Sequence, residues 1–433
     1  MSITMINDIR VTRKNAADLL GCFVDWPKSP SEHDTYCIDL GGWVLGRSST
    51  VKRIEILSEG TVLQSAIIDQ ARPDVARAFP ASPAAGNSGF RTQVNLVEAP
   101  PEFELTLLAV HDDGQRSPLC AVHGDRSRLG LGNGAMLQPL IVTTLGRTGS
   151  TWFMRLLGQH QSIVAYRPFE FEPRAGSYWV QVFKALADPK SYLQRLIATD
   201  PVERWWLGPE TPRPPRHIPD PEVVKCLGGT GVISLAAFCQ GQLDDLYRSI
   251  AAAGGLKGGK YFAEKYLPNP PFVRQMLWEW YSGAKEVVLV RDPRDIFCSI
   301  ESFNAKRGYL AFARNRLTDE FEYIKMLIQQ MHRLVRTWKA RPSAVHLLRY
   351  EDLVREPTRT LTSVLQYLEI DASAEVVDAV LQRASIETAA MSQHRTSRSP
   401  ADSIGRWRTD LSADLRALFA TECGEILTQL AYD

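Results

Sequence analysis

Residues 143–152 read TTLGRTGSTW, directly after the apolar run Leu140-Ile141-Val142. Gly146 and Gly149 bracket a cation, Arg147, and a hydroxyl residue, Thr148; Ser150, Thr151 and Trp152 then open a helical pattern. In a strand-loop-helix turn of this kind the backbone N–H groups from Gly146 through Thr151 point inward, and the helix start adds partial positive charge. Glycine lets the backbone approach an anion closely, and Arg147 adds a full charge on a forked donor. The chemistry on offer is anion binding. A loop built for nucleoside triphosphates reads G-x-x-x-x-G-K-[ST], with Lys before the hydroxyl pair. Here Gly149 takes that slot and the cation sits in the middle of the turn.

A second candidate lies in KEVVLVRDPRDIFCSIESF, residues 285–303. Arg291 stands just past the end of an apolar strand, where open α/β sheets bind ligands. Asp292 has the placement of an N-cap and Pro293 that of a first helical residue. Ile296, Ile300 and Phe303 form the apolar face of the helix, with Ser299 beside it. Two readings are open. Ser299 bonds a backbone carbonyl one turn back and Arg291 serves a salt bridge, or the two together hold a second phosphate.

The elements that position these residues follow from hydrophobic pattern. LIVTT (140–144), EVVLV (286–290) and AVHLLRY (344–350) are continuous apolar strands. The first leads into a helix carrying Trp152, Phe153, Leu156 and Leu157 and stopped at Gly158; the second leads into a helix from Pro293; helical text follows the third to about Leu368. Apolar strands alternating with helices predict a parallel sheet covered on both faces, an α/β domain over 138–433. Before it, from about 35 to 125, short alternating strands such as Arg53-Ile54-Glu55-Ile56-Leu57 are separated by the turns Ser58-Glu59-Gly60 and Asp112-Asp113-Gly114. That predicts a separate antiparallel β-sandwich over residues 1–130. The segment DRSRLGLGNGAMLQP (125–139) reads as a linker. GPETPRPPRHIPDPE (208–222), with six prolines in fifteen residues, reads as a surface loop over the site.

Bulk composition narrows the classes. Net charge is +1, so nucleic acid is not an expected partner and any anion site must be local. The seven cysteines are scattered without C-x-x-C spacing, and no metal-ligand spacing joins the eight histidines. No metal, no disulfide framework and a reducing compartment are the expectations, and the cytoplasm is the expected location. The N-terminal text has no apolar core of a signal peptide, and no run of 18 apolar residues predicts a membrane span.

Taken together, the two anion segments resemble the sulfotransferases that use 3′-phosphoadenosine 5′-phosphosulfate (PAPS). The resemblance covers roughly residues 138–425. It implies that the Gly146–Trp152 loop holds the 5′-phosphosulfate, through Gly146, Arg147, Thr148, Gly149, Ser150, Thr151 and Trp152. It implies that Arg291 and Ser299, eight residues apart, hold the 3′-phosphate. YFAEKYLPN (261–269) resembles the family's E-K-x-P-like segment and puts Lys265 near the sulfuryl group, although Leu267 separates Tyr266 from Pro268 where the family often has Thr-Pro directly. RYEDLVREP (349–357) is a common later segment, in which Glu351 and Asp352 read as helix-start residues. SIGRWR (403–408) resembles the segment that closes over the nucleotide, with Gly405 and Arg406. Within YRPFEFEPR (166–174), Glu170 matches the family's glutamate base and Glu172 is the reserve; both could instead pair with Arg167 and Arg174. The implied reaction is sulfuryl transfer from PAPS to an acceptor hydroxyl, with Glu170, Lys265 and Arg147 as the catalytic set. The acceptor is expected to be a saccharide, because GGWVLG, RPDVARAF and NSGF resemble sandwich domains attached to bacterial glycan-modifying enzymes. Trp205 and Trp206 could line an acceptor groove or pack in the core. A small-molecule or protein-tyrosine acceptor, and an ATP-dependent kinase with Asp292 on magnesium, are the alternatives. Oligomeric state is not expressed in the sequence.

Overall fold

The computed structural model describes residues 5–14, 16–33, 36–129, 137–165, 174–187, 230–256, 258–385 and 395–432. The chain divides into two compact units: Met1–Leu131 with Val180–Cys239, and Gly132–Trp179 with Gln240–Asp433.

The first unit carries two antiparallel sheets. Strands β1 (Ile6–Arg13), β4 (Val51–Ser58), β5 (Thr61–Ile67), β7 (Glu102–His111) and β8 (Arg116–Arg126) form one, in the order β1-β8-β7-β4-β5. Strands β2 (Leu19–Trp26), β3 (Cys37–Gly46) and β6 (Gly89–Asn95) form the other, in the order β2-β3-β6. The alternation read from sequence is realised: Ile54, Ile56, Leu105 and Leu107 are buried on one sheet, Ile38 and Leu40 on the other. The β4–β5 hairpin turns on Glu59 and Gly60, both at positive φ, as a two-residue hairpin connection favours. Strand structure begins well before residue 35, where the sandwich text starts. β1 and β2 escape the pattern because their registers shift, between Asn7 and Arg10 in the one and at Leu19/Gly21 and Val24/Trp26 in the other. Each such shift breaks the two-residue period. At the other end, β8 runs to Arg126 and Leu129 is fully buried, so the first residues of the expected linker belong to the folded unit. Residues 130–136 of that linker, the 208–222 loop, Trp205 and Trp206 lie outside the described residues.

The second unit is a five-stranded, wholly parallel sheet in the order β10-β11-β9-β12-β13, from β9 (Gln138–Thr144), β10 (Ile163–Val164), β11 (Tyr261–Tyr266), β12 (Lys285–Val290) and β13 (Val345–Arg349). Its strands are apolar at both parities because both faces are covered. On one face Leu140, Val142, Tyr261, Ala263, Val287 and Leu289 pack with Phe153, Leu156 and Leu157 of the Ser150–Leu157 helix. On the other, Val288 and Val290 pack with Ile296 and Ile300 of the Pro293–Arg307 helix, with Ile324 and Met331 of the Glu320–Ala340 helix, and with Phe419 of the Ala413–Gln429 helix. The Ser150–Leu157 helix stops at Gly158 and the helix after β12 begins at Pro293, as predicted. The helical text after β13 is two helices, Tyr350–Arg355 and Pro357–Tyr367, broken where a proline starts the second.

Candidate active site

The loop after β9 is held from inside by hydroxyls. Thr144 Oγ1 donates to the Leu289 carbonyl of β12 at 2.9 Å and meets Thr148 Oγ1 at 2.5 Å. Thr148 Oγ1 also lies 2.9 Å from the Leu145 carbonyl. Thr148 is fully buried, so its side chain staples the turn and only its backbone is left for a ligand. Arg147 and Gly149 both stand in the left-handed region, at φ 65° and 86°. A non-glycine residue there is strained, and such strain clusters at ligand-binding turns. Gly149 has a second constraint: a Cβ at this position would lie 2.4 Å from the Tyr350 ring. The slot that holds Lys in a triphosphate loop is thus closed to any side chain. Ser150 is buried at the helix start, while Thr151 and Trp152 are half-buried, and Trp152 meets Tyr350 edge-on at 6.5 Å.

Asp292 and Pro293 start their helix as expected. The Asp292 carboxylate accepts from Arg294 N at 2.9 Å and pairs with the Arg294 guanidinium at 2.7 Å. The turn before it aims Arg291, 4% exposed, at the loop. Arg291 donates to the Arg147 carbonyl at 2.9 Å and to the Ser403 carbonyl at 2.5 Å, and lies over the Tyr350 ring at 4.7 Å. Its buried Nε has no hydrogen-bond partner among the described residues. Ser299, also buried, does not bond back to its own helix. Its Oγ accepts from Arg147 Nε at 3.2 Å and meets Thr396 Oγ1 at 3.3 Å. Arg147 also reaches Thr396 Oγ1 at 3.3 Å and lies over the Phe303 ring at 4.7 Å. Desolvation, and after it the charge of Arg291, lower the Arg147 pKa to about 10. Arg406 and Arg307 push it the same way, and Tyr350 opposes them. Two guanidiniums drawn together against their own repulsion form a seat for an anion.

The C-terminal segment joins this seat. Tyr350 Oη meets Ser403 Oγ at 3.0 Å, next to the carbonyl that Arg291 holds. Asp295, in the first turn of the Pro293–Arg307 helix, accepts from Gly405 N at 2.6 Å and from Trp407 N at 3.0 Å. Arg406, between those two amides, donates to Ser302 Oγ at 2.7 Å and pairs with Asp410 at 2.6 Å. Glu351 is a support beneath the site: it accepts from Asp292 N at 3.0 Å and Tyr432 Oη at 2.9 Å, and burial pushes its carboxyl pKa up.

Lys265 stands in β11 beside Val142 of β9. Tyr261 and Ala263 pack under the Ser150–Leu157 helix, and strand alternation makes Lys265 the next residue in that row, toward the loop end of the sheet. Glu264 faces the other way and is buried among Tyr247 Oη, Tyr266 Oη and Gly176 N, with its carboxyl pKa raised by desolvation. Beyond Lys265, the Pro268 carbonyl accepts from Arg274 at 2.7 Å, and Arg274 is paired with buried Glu286 at 2.9 Å. Glu170 and Glu172 lie outside the described residues.

Arg147, Arg291, Ser299 and the Ser403–Arg406 segment therefore converge. Sequence reasoning missed Tyr350, Thr396 and Asp295. Tyr350 and Asp295 lay inside quoted motifs, as the second residue of RYEDL and the second Asp of RDPRD; Thr396 carried no signal. Asp292 is occupied by its helix start and Arg294, which leaves the kinase reading without its magnesium partner. No group of three or more His, Cys, Asp or Glu that could hold a metal exists among the described residues. No described helix is long and apolar enough to cross a membrane.

A family model described as "Sulfotransferase family" matches residues 139–374. The chain is 30% identical over 161 residues to carbohydrate sulfotransferase 1 of Danio rerio, a stretch that is 35% of this chain and 38% of that protein. It is 27% identical over 176 residues to the Mus musculus protein of the same name, 38% of this chain and 43% of that one. The match spans about two-fifths of the length of these relatives. Among solved structures, the sulfotransferase domain from the curacin biosynthetic pathway aligns with 69% of this chain and 99% of its own, at 15% identity and a TM-score of 0.37.

Proposed function

The chain belongs to the sulfotransferase family, and from that premise we propose that it transfers the sulfuryl group of PAPS to an acceptor hydroxyl. The observation that carries the reading is the meeting of Arg147, Arg291 and Ser299 from two different strand ends, with a buried guanidinium Nε on Arg291 that no described residue satisfies. PAPS carries two phosphate-like anions, a 5′-phosphosulfate and a 3′-phosphate, and the cluster draws one cation from each of the two segments that the resemblance assigns to them, Arg147 from the loop and Arg291 from the second strand end.

In the proposed step the acceptor oxygen attacks sulfur, and the bond from sulfur to the bridging oxygen of the 5′-phosphate breaks. The bond's electron pair leaves with 3′-phosphoadenosine 5′-phosphate (PAP), and the acceptor proton goes to Glu170. Charge building on the bridging oxygen is met by Arg147, Lys265 and the loop amides, a case of preorganised electrostatics. A sulfuryl group carries less charge than a phosphoryl group, so the step does not demand a metal. We assign the acceptor to the saccharides, which the name of the matched relatives supports, and acceptor recognition to an accessory domain over residues 1–130 ahead of a catalytic domain over 138–433. The scatter of the cysteines supports a cytoplasmic location within the same proposal; those in the described residues are all free.

A screen of saccharide, phenolic and peptide acceptors with labelled PAPS tests the activity, with ATP and magnesium as the competing donor. General-base catalysis is worth roughly 10²–10⁴-fold. Glu170→Gln should lower turnover by about that factor and leave PAP affinity nearly unchanged. Normal turnover in Glu170→Gln with Glu172→Gln inactive would transfer the role to Glu172; normal turnover in both would remove the base from this segment.

A further inference from the structure

Asp295 is a carboxylate beside a cluster of arginines, yet its two oxygens go to backbone amides. Oδ2 takes Gly405 N at 2.6 Å and Oδ1 takes Trp407 N at 3.0 Å. Those amides flank one residue, Arg406. From there the Arg406 guanidinium reaches Ser302 Oγ at 2.7 Å and the Thr396 carbonyl at 3.4 Å, and Thr396 Oγ1 is the atom that Arg147 contacts. The backbone around Arg406 is not one that most residues adopt, since Gly405 has φ 73° and a Cβ there would lie 2.7 Å from an Arg408 guanidinium nitrogen. Trp407 adds a second fastening: its ring lies 3.8 Å from the Arg294 guanidinium carbon, one residue before Asp295.

We propose that Asp295 is a positioning residue for nucleotide binding: by holding the amides on either side of Arg406, it keeps that guanidinium beside the seat formed by Arg147, Arg291 and Ser299. The guanidinium is paired with Asp410, and its charge is felt by Arg147. The inference rests on the reading of that seat as the PAPS site. It has an unusual sign. Removing a negative charge next to an anion site strengthens anion binding when charge alone acts. Here its removal releases a cation from beside the seat, and binding weakens.

The test uses the full chain and PAP. In Asp295→Asn, backbone hydrogen exchange at Gly405 and Trp407 is expected to quicken, and PAP affinity to fall about tenfold, the loss of one charge-assisted contact. In an Arg406→Ala background the same substitution should add little, because the residue through which Asp295 acts is gone. Gly405→Ala strains the segment from the other side, and should weaken PAP in the same direction, again with little effect once Arg406 is Ala. This second variant keeps the proposal open to refutation if Asp295→Asn folds poorly. Unchanged or tighter PAP binding in Asp295→Asn, or a full tenfold loss that persists without Arg406, overturns it. If the unmodified chain fails to bind PAP, the PAPS reading falls. The role of Asp295 in nucleotide binding falls with it, whereas unchanged exchange rates in an Asp295→Asn chain whose parent binds PAP refute the positioning role and leave the PAPS reading standing.

Discussion

Arg72 in the first unit is half-buried and Arg291 in the second is buried, and the two keep different company. Arg72 is held between Asp25 and Asp74, each at 2.6 Å, and those carboxylates raise its pKa. Buried Glu55 nearby in sequence is held by Arg53 at 2.6 Å and Arg116 at 3.0 Å, which together hold its carboxyl below the usual range. Arg291 instead meets two carbonyls and an aromatic ring, with Arg147 as a like-charged neighbour, while the nearby carboxylates of Asp295 and Glu351 are held on backbone amides. Carbonyl partners alone do not mark a site, since buried Arg126 of the first unit bonds the Ala99 carbonyl at 2.5 Å. The difference is the second guanidinium. Charges in the first unit cancel and serve the fold. Around the Gly146–Trp152 loop two guanidiniums, Arg147 and Arg291, lie close enough for one to lower the pKa of the other, and an anion placed there would meet both.

The comparison breaks most visibly at Gly149. Gly149→Lys restores the triphosphate-loop residue but forces a side chain into the left-handed region and against Tyr350. Strain and overpacking each cost about 1–3 kcal/mol. PAP affinity by calorimetry should fall by about a hundredfold or more, with no gain of ATP binding. Retained PAP affinity would mean that the Tyr350 contact does not shape the loop. Next in size is Arg291→Ala. Loss of a charge-assisted contact, about 1.5–3 kcal/mol, should weaken PAP roughly ten- to a hundredfold and adenosine 5′-phosphate far less. Equal losses for both nucleotides would remove the 3′-phosphate from this residue.

The smallest effect belongs to the balanced unit. Arg116 is more than half exposed and Glu55 keeps Arg53, so Arg116→Ala should cost at most about 1 kcal/mol in a urea melt and leave PAP affinity unchanged. The sign with pH is fixed by the lowered Glu55 pKa. Its contribution is present above the ordinary glutamate value and is lost as pH falls through the depressed one. In Arg116→Ala that loss should begin at higher pH, moving the acid-unfolding midpoint upward. An unmoved midpoint would show that Arg53 alone sets the Glu55 environment.

Much of the second unit was legible in the sequence, because periodicity and chemistry agree there. The apolar strands 140–144 and 286–290, the Gly158 stop and the Asp292-Pro293 start each follow from a local rule. The first unit was legible only where its strands keep a two-residue period; register shifts near Asp8, Gly21 and Val24 hid β1 and β2. At the site, Arg147, Arg291 and Ser299 announced themselves by type and spacing. Their partners did not. Thr396 is distant in sequence from both anion segments, and Tyr350 matters through a ring face against Gly149, which no local pattern encodes. Thr148 shows a role that local pattern does not encode: its hydroxyl is bonded inside the turn.

Glu286 bears on how such a loop keeps its shape over time. One buried carboxylate of β12 accepts from Thr143 of β9 at 2.5 Å, from Arg274 at 2.9 Å and from Trp278 Nε1 at 3.0 Å, while Tyr367 Oη bridges the backbone at the same residue. A transient parting of β9 from β12 would strand that charge, and Arg274 with it, in a medium of low dielectric. Such partial openings are therefore disfavoured, and the two strands separate only when the whole unit does. Their amides are expected to exchange among the slowest of the second unit, which hydrogen-exchange measurement checks. The Gly146–Trp152 loop and the turn after Lys265 hang from these strands, the one through Thr143 and the other through the Arg274 bond to Pro268.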